Sequence, residues 1–209
     1  MNRKFVSNSN LVLRKVLNSK DNVDILKDFI ESFLKVKIKK IELNSYLKEQ
    51  EKYLPSEEKF GISDVRVVLD SGEEQNIGIQ FIDGYYIKTK ILLYYYQINS
   101  NQNLYSDNRK KAKTITLNFL DFSYNDKDTY HEKIHLKPLN EKKEFGDDIE
   151  FHIIELPKFS VENVDRLSKE EMWMLYLIGD VKIKDNKECS KIKKLDNLLE
   201  EYWKNEKME

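Results

Sequence analysis

Asp64-Val65-Arg66-Val67-Val68-Leu69, then Asp70-Ser71-Gly72-Glu73, then Asn76-Ile77-Gly78-Ile79-Gln80-Phe81: on this stretch the fold turns. Val65, Val67, Leu69, Ile77, Ile79 and Phe81 are apolar and sit at odd positions. Asp64, Arg66, Asn76, Gly78 and Gln80, at even positions, are polar or small, with Val68 and Ile82 as exceptions. Period-two geometry sends the odd set to a core and most of the even set to the other face. Two such runs around a glycine-containing turn predict a β-hairpin over residues 62–82. Directly opposed residues of an antiparallel pair share a face, so Asp64 and Gln80 share one if the loop has odd length. A three-residue loop at Ser71-Gly72-Glu73 places Asp64 opposite Gln80 and Arg66 opposite Gly78.

Helical and extended patterns flank the hairpin. Val23, Leu26, Phe29, Ile30, Phe33 and Leu34 recur at helical spacing and predict a helix over about residues 21–35. A shorter helix is expected from Asn10 to Leu17, and a strand over residues 36–43. Residues 44–60, mostly polar with Pro55, read as a connection. Gly84 to Ser100 reads as a helix rich in Ile, Leu and Tyr. Thr114 to Phe122 alternates as a half-buried strand would, and Tyr130 to Lys137 and Ile149 to Leu156 read as two more strands. Pro157 ends the last of these. Ser168-Lys169-Glu170-Glu171 fits a capping box that opens a helix closed by Gly179. Ile192, Leu195, Leu198, Leu199, Tyr202 and Trp203 mark a final amphipathic helix.

The 209 residues suffice for one substantial domain with an appendage, and hydrophobic residues at 40% allow a packed core. Lys and Arg number 36 against 37 acids, so a nucleic-acid partner would need a locally basic face. The single cysteine, Cys189, excludes an internal disulfide framework and a multi-cysteine zinc site. No apolar run approaches a membrane span, and Met1-Asn2-Arg3-Lys4 leads into no signal-peptide core. The expected location is the cytoplasm.

Four stretches together carry a resemblance. They are Asn22-Val23-Asp24-Ile25-Leu26 running on to Phe33-Leu34; Gly61-Ile62-Ser63-Asp64-Val65-Arg66-Val67 with Asn76-Ile77-Gly78-Ile79-Gln80; Ile87-Lys88-Thr89-Lys90 leading to Leu93-Tyr94-Tyr95-Tyr96; and Phe151-His152-Ile153-Ile154-Glu155-Leu156-Pro157-Lys158-Phe159. In order and spacing the chain resembles the putative-transposase branch of the PD-(D/E)XK nucleases, related to the recombination-promoting nucleases. The resemblance implies an α/β fold with a mixed sheet flanked by helices, over residues 1–160, and a helical C-terminal appendage, residues 161–209, packed on it. It also implies a site built from a first acid, a Glu-x-Gln pair and a divalent metal, Mg²⁺ or Mn²⁺. Carried over, Asp64 is the first acid and Gln80 the polar partner. The carbonyl of Ile79 is a further metal ligand, and Gly78 stands where the family has its second carboxylate.

The implied function is a metal-dependent DNA endonuclease, impaired because glycine supplies no ligand. The alternative is a catalytically inactive homologue that binds nucleic acid or protein. Arg66, Lys88 and Lys90 are the candidate phosphate contacts. Arg66 could enter the space vacated at Gly78, and Asp70, Glu73, Glu74 or Glu42 could replace the missing acid. Tyr94, Tyr95 and Tyr96 suit either stacking on bases or a core. His131, His135 and His152 show no metal-ligand spacing, and Cys189 reads as lying in a polar loop. The final helix either closes the core or joins copies into a homo-oligomer.

Overall fold

The computed structural model describes residues 13, 16–43, 63–82, 84, 86–103, 112–135, 149–161, 166–179 and 189–206. Most of the Asn10–Leu17 helix expected from sequence, and the connection at 44–60, lie outside these residues. The elements run α1 (Val23–Leu34), β1 (Ile38–Leu43), β2 (Ser63–Leu69), β3 (Glu74–Ile82), α2 (Ile87–Asn103), β4 (Lys113–Leu120), β5 (His131–His135), β6 (Ile149–Glu155), α3 (Lys169–Ile178) and α4 (Ser190–Glu206). The strands form one six-stranded sheet in the order β1-β2-β3-β4-β6-β5. β1, β2 and β3 are antiparallel neighbours, β3, β4 and β6 run parallel, and β5 returns antiparallel to β6. Helix, three strands, helix, strand is the order implied by the resemblance, and the class is α/β.

The chain divides into two compact units, residues 38–158 and residues 1–37 with 159–209. In the first, the hairpin keeps the expected parity but not the expected partners. Asp64 pairs with Gly78 and Arg66 with Asn76, two residues away from the expected register. The loop is three residues long, but it is Asp70-Ser71-Gly72, since Leu69 N donates to Glu73 O at 2.9 Å and Gly72 N to Leu69 O at 2.9 Å. Gly72 has φ +86, so it takes the left-handed position at the end of such a loop. The sequence reading put this glycine mid-loop, and moving it to the end shifts the pairing by two.

A second difference concerns the even face. Asn76, Gln80, Thr114, Thr116 and Asn118 are all buried. β3 and β4 lie in the middle of the sheet, where parallel strands are covered on both faces. The cover on the even face is α2. Its Ile91 joins Ile82, Leu120, Phe151 and Ile153 in an apolar cluster, and Tyr95 meets Phe151 edge-on at 5.5 Å. β6 stops at Glu155, where Pro157 interrupts the ladder within a single 3₁₀ turn. Buried Glu155 accepts from Tyr124 N at 2.6 Å and from Lys158 Nζ at 2.9 Å, which ties the segment after β4 to the end of β6.

In the other unit, α3 opens with the expected capping box at Ser168 and Glu171 and closes on Gly179 at φ +74. Asp28 of α1 accepts from Trp173 Nε1 at 3.1 Å and Lys169 Nζ at 2.5 Å. Asp24 takes Lys191 and Lys194 of α4 at 2.5 and 2.7 Å. Burial raises the Asp24 pKa, but bonds and charge from these lysines outweigh it and hold the group at about 2. Cys189, expected in a polar loop, is instead buried with Sγ 3.4 Å from Met172 Sδ.

Candidate functional site

The even face of β2 and β3 gathers Asp64, Gly78 and Gln80, three of the positions named from sequence. Asp64, 2% exposed, sits directly across from Gly78. Gln80 is one pleat further along β3, beside Asn118 of β4 in parallel register. Gln80 Nε2 donates to Asn118 Oδ1 at 2.6 Å. Asn118 Nδ2 in turn donates to Thr116 Oγ1 at 2.9 Å and to His152 O at 2.8 Å. The amide of Gln80 is therefore fixed by a buried network that sequence reasoning missed. Its signal was the alternation Thr114-x-Thr116-x-Asn118 inside an otherwise apolar strand.

Gly78 decides what the site can hold. A Cβ there would lie 2.2 Å from Ile98 Cδ1, 2.7 Å from Tyr94 Cε1 and 3.0 Å from Tyr94 Cζ, all on α2. Close approach of another group is a recurrent reason for a glycine in mid-strand. The Tyr94 hydroxyl also reaches the next residue: it donates to Ile79 O at 3.3 Å and accepts from Ile79 N at 3.1 Å. The space a side chain at 78 would need is thus filled by ring and methyl, and the Ile79 carbonyl has a tyrosine hydroxyl on it.

The other candidates are placed elsewhere. Arg66 does not enter the space at Gly78, because the register sets it across from Asn76 and its guanidinium pairs with Glu74. Glu73 accepts from Gln75 at 2.9 Å, Glu42 pairs with Lys40 at an exposed position, and Asp70 is exposed in the turn. None of these acids stands in for a carboxylate at 78. Lys88 is exposed and Lys90 partly buried, and two residues along a helix do not face the same way. Of the tyrosines, Tyr94 is core, Tyr95 is partly buried against Phe151, and Tyr96 is 68% exposed.

The opposite face carries a second polar cluster. His152 Nε2 lies 2.6 Å from Glu150 Oε1, and His152 Nδ1 lies 2.8 Å from His131 Nε2. Lys113 and Lys133 reach Glu150 Oε2 at 2.7 and 2.8 Å. Burial alone would raise the Glu150 pKa, but bonds from His152, Lys113 and Lys133 outweigh it and hold the carboxyl well below the usual range. Burial pushes His152 below its ordinary value, partly offset by Glu150.

A family model described as PD-(D/E)XK nuclease family transposase matches residues 9–209. The chain belongs to this family. No curated protein and no solved structure matches it. Within the PD-(D/E)XK transposase family, this chain folds into a six-stranded mixed sheet that sets Asp64 of β2 across from Gly78 of β3. Among the described residues no group of three or more His, Cys, Asp and Glu is arranged to hold a metal ion. Mg²⁺ favours carboxylates with room for several waters. Asp64, 2% exposed beside the filled space at Gly78, leaves no room for those waters, so the described residues do not fit that ion.

Proposed function

We propose that this chain is a DNA-binding member of the PD-(D/E)XK transposase family that does not cut the phosphodiester bond. The observation that carries this reading is the packing of Ile98 and Tyr94 onto Gly78. Hydrolysis needs a water activated at a metal and charge stabilisation on the phosphate, and a divalent ion ordinarily supplies both. With position 78 filled and the Ile79 carbonyl bonded by Tyr94, Asp64 is left as a single carboxylate at 2% exposure. Family membership supports the DNA partner.

Fluorescence anisotropy on a labelled duplex tests this, in EDTA and again in Mg²⁺, with the DNA recovered on a gel. Binding in EDTA that Asp64→Asn leaves unchanged, with the duplex intact in both buffers, is the expected result. Absence of binding at low salt refutes the DNA-binding half. Shortened duplex in Mg²⁺ but not in EDTA refutes the non-cleaving half.

A further inference from the structure

β5 is an edge strand of five residues, paired on one side only, with β6. None of its residues is buried, and Ile134, its one apolar side chain, is 38% exposed. Beyond the ladder, a row of ionisable groups fastens it on the sheet face turned away from α2. His131, Lys133 and His135 alternate on that face of β5, and Glu150 and His152 on that face of β6. Lys133 lies directly across from His152, and His135 across from Glu150. The reading above uses none of these residues.

The bonds fix where the hydrogens sit. The Glu150 carboxylate only accepts, so the hydrogen in its 2.6 Å contact belongs to His152 Nε2. His152 Nδ1 then presents a lone pair, to which His131 Nε2 donates at 2.8 Å. One added proton leaves this contact intact, whichever ring carries it, because one N–H still faces one lone pair. A second sets N–H against N–H, and the contact cannot close.

The charge count points the same way. With neutral imidazoles, the Glu150 carboxylate already faces two ammonium groups, Lys113 at 2.7 Å and Lys133 at 2.8 Å. Each histidine that charges adds to the positive excess, and His135 Nε2 lies 3.8 Å from the same carboxylate oxygen. Glu150 and His152 are 2% and 4% exposed, so salt and water screen little of the repulsion. The other ionisable groups nearby are Tyr130, its ring centroid 6.3 Å from that of His131, the Lys127–Glu132 pair, with Glu132 on the opposite face of β5, and Asp121 just past β4. Burial holds the His152 pKa below its ordinary 6.5, with Glu150 opposing and His131 and Lys133 adding to the shift. A lowered histidine pKa stabilises the fold above the unfolded value of about 6.5, and that contribution is lost as pH falls below it.

We propose that β5 is an acid-released edge strand: protonation of the His131–His152 pair detaches it from β6 while the rest of the sheet stays folded. The histidines are the trigger, being the groups whose charge ordinarily changes between about pH 5 and 8. β6 stays in place because β4 pairs with it on its other side. Release leaves β6 as the new edge of the sheet, with a row of unpaired main-chain groups open to another strand.

Amide hydrogen exchange of the untagged full-length protein tests this, read residue by residue by NMR and corrected to protection factors at pH 7.5 and pH 5.0. Amides of β5 should lose about tenfold or more in protection at the lower pH, and those of β3 and β4 less than about threefold. His131→Gln still offers an N–H to His152 Nδ1 but cannot charge, so it should keep β5 protected at pH 7.5 and lose less at pH 5.0. The unmodified protein gives a readout that needs no variant: the ring-proton shifts of His152 should titrate over the same pH range in which β5 opens. The proposal is overturned if β5 keeps its protection at pH 5.0, or if β3 and β4 lose theirs in step with it. It is equally overturned if His131→Gln opens as the parent does, or if His152 stays neutral while β5 opens.

Discussion

Placing one methyl group on Gly78 measures how tightly α2 seals the strand beneath it. Carbon pairs rest at about 3.5–4.0 Å, yet the added Cβ would meet Ile98 Cδ1 at 2.2 Å and Tyr94 Cε1 at 2.7 Å. Ile98 Cδ1 ends a flexible chain and can swing aside. Tyr94 cannot easily follow, because its hydroxyl is bonded to both main-chain groups of Ile79. Overpacking of this kind costs about 1–3 kcal/mol. Against it stands the gain of replacing glycine in a strand, about 0.5–1 kcal/mol. Gly78→Ala is therefore expected to lower stability by about 1–2 kcal/mol. Ile98→Val removes the nearest atom and alone costs about 0.5–1.5 kcal/mol. If the clash is real, the double variant should be more stable than the sum of the single changes by about 1 kcal/mol. Urea unfolding of the four proteins, read as midpoint shifts at constant slope, gives these numbers. A Gly78→Ala protein as stable as the parent, or more so, would mean open space at position 78 and would refute the reasoning.

Gly78→Glu by itself should create no nicking of plasmid DNA, since its side chain meets the same wall; activity from that single change would show that α2 yields readily. Asn118→Ala should cost about 2–4 kcal/mol in thermal or urea unfolding, because it strips partners from Gln80, Thr116 and the His152 carbonyl in the buried network. The Asp24 carboxyl sits at about 2 when folded. A lowered carboxyl pKa stabilises the fold above its unfolded value near 4, and that contribution is lost as pH falls toward 2. With Asp24 38% exposed, screening limits the effect to about 1 kcal/mol. The double change Lys191→Ala with Lys194→Ala should flatten this acid limb in unfolding curves taken from pH 5 to pH 2.

Alternation made the hairpin faces legible. Val65, Val67, Ile77 and Ile79 are fully buried as their odd positions implied, and Asp64 does share a face with Gln80. Parity survives any shift of two, however, so the faces could be right while the partners were not. The partners depended on where in its loop Gly72 takes a positive φ. The closing of the site was illegible for another reason. Tyr94 and Ile98 lie more than a dozen residues beyond Gly78, and only docking of α2 on β3 brings them over it. Asn76, Thr116 and Asn118 looked solvent-facing because polar alternation usually is, whereas here the central strands are covered on both sides. The His131–His152 contact joins β5 to β6 through a register that periodicity within either strand does not encode.

The central claim is that Asp64 supports no metal-dependent cutting with position 78 filled. Supercoiled plasmid incubated with the purified protein in Mg²⁺ or Mn²⁺, beside an Asp64→Ala control, measures it most directly. No nicking above buffer, and no difference between the two proteins, is what the account predicts. Metal-dependent nicking that disappears in Asp64→Ala would contradict it.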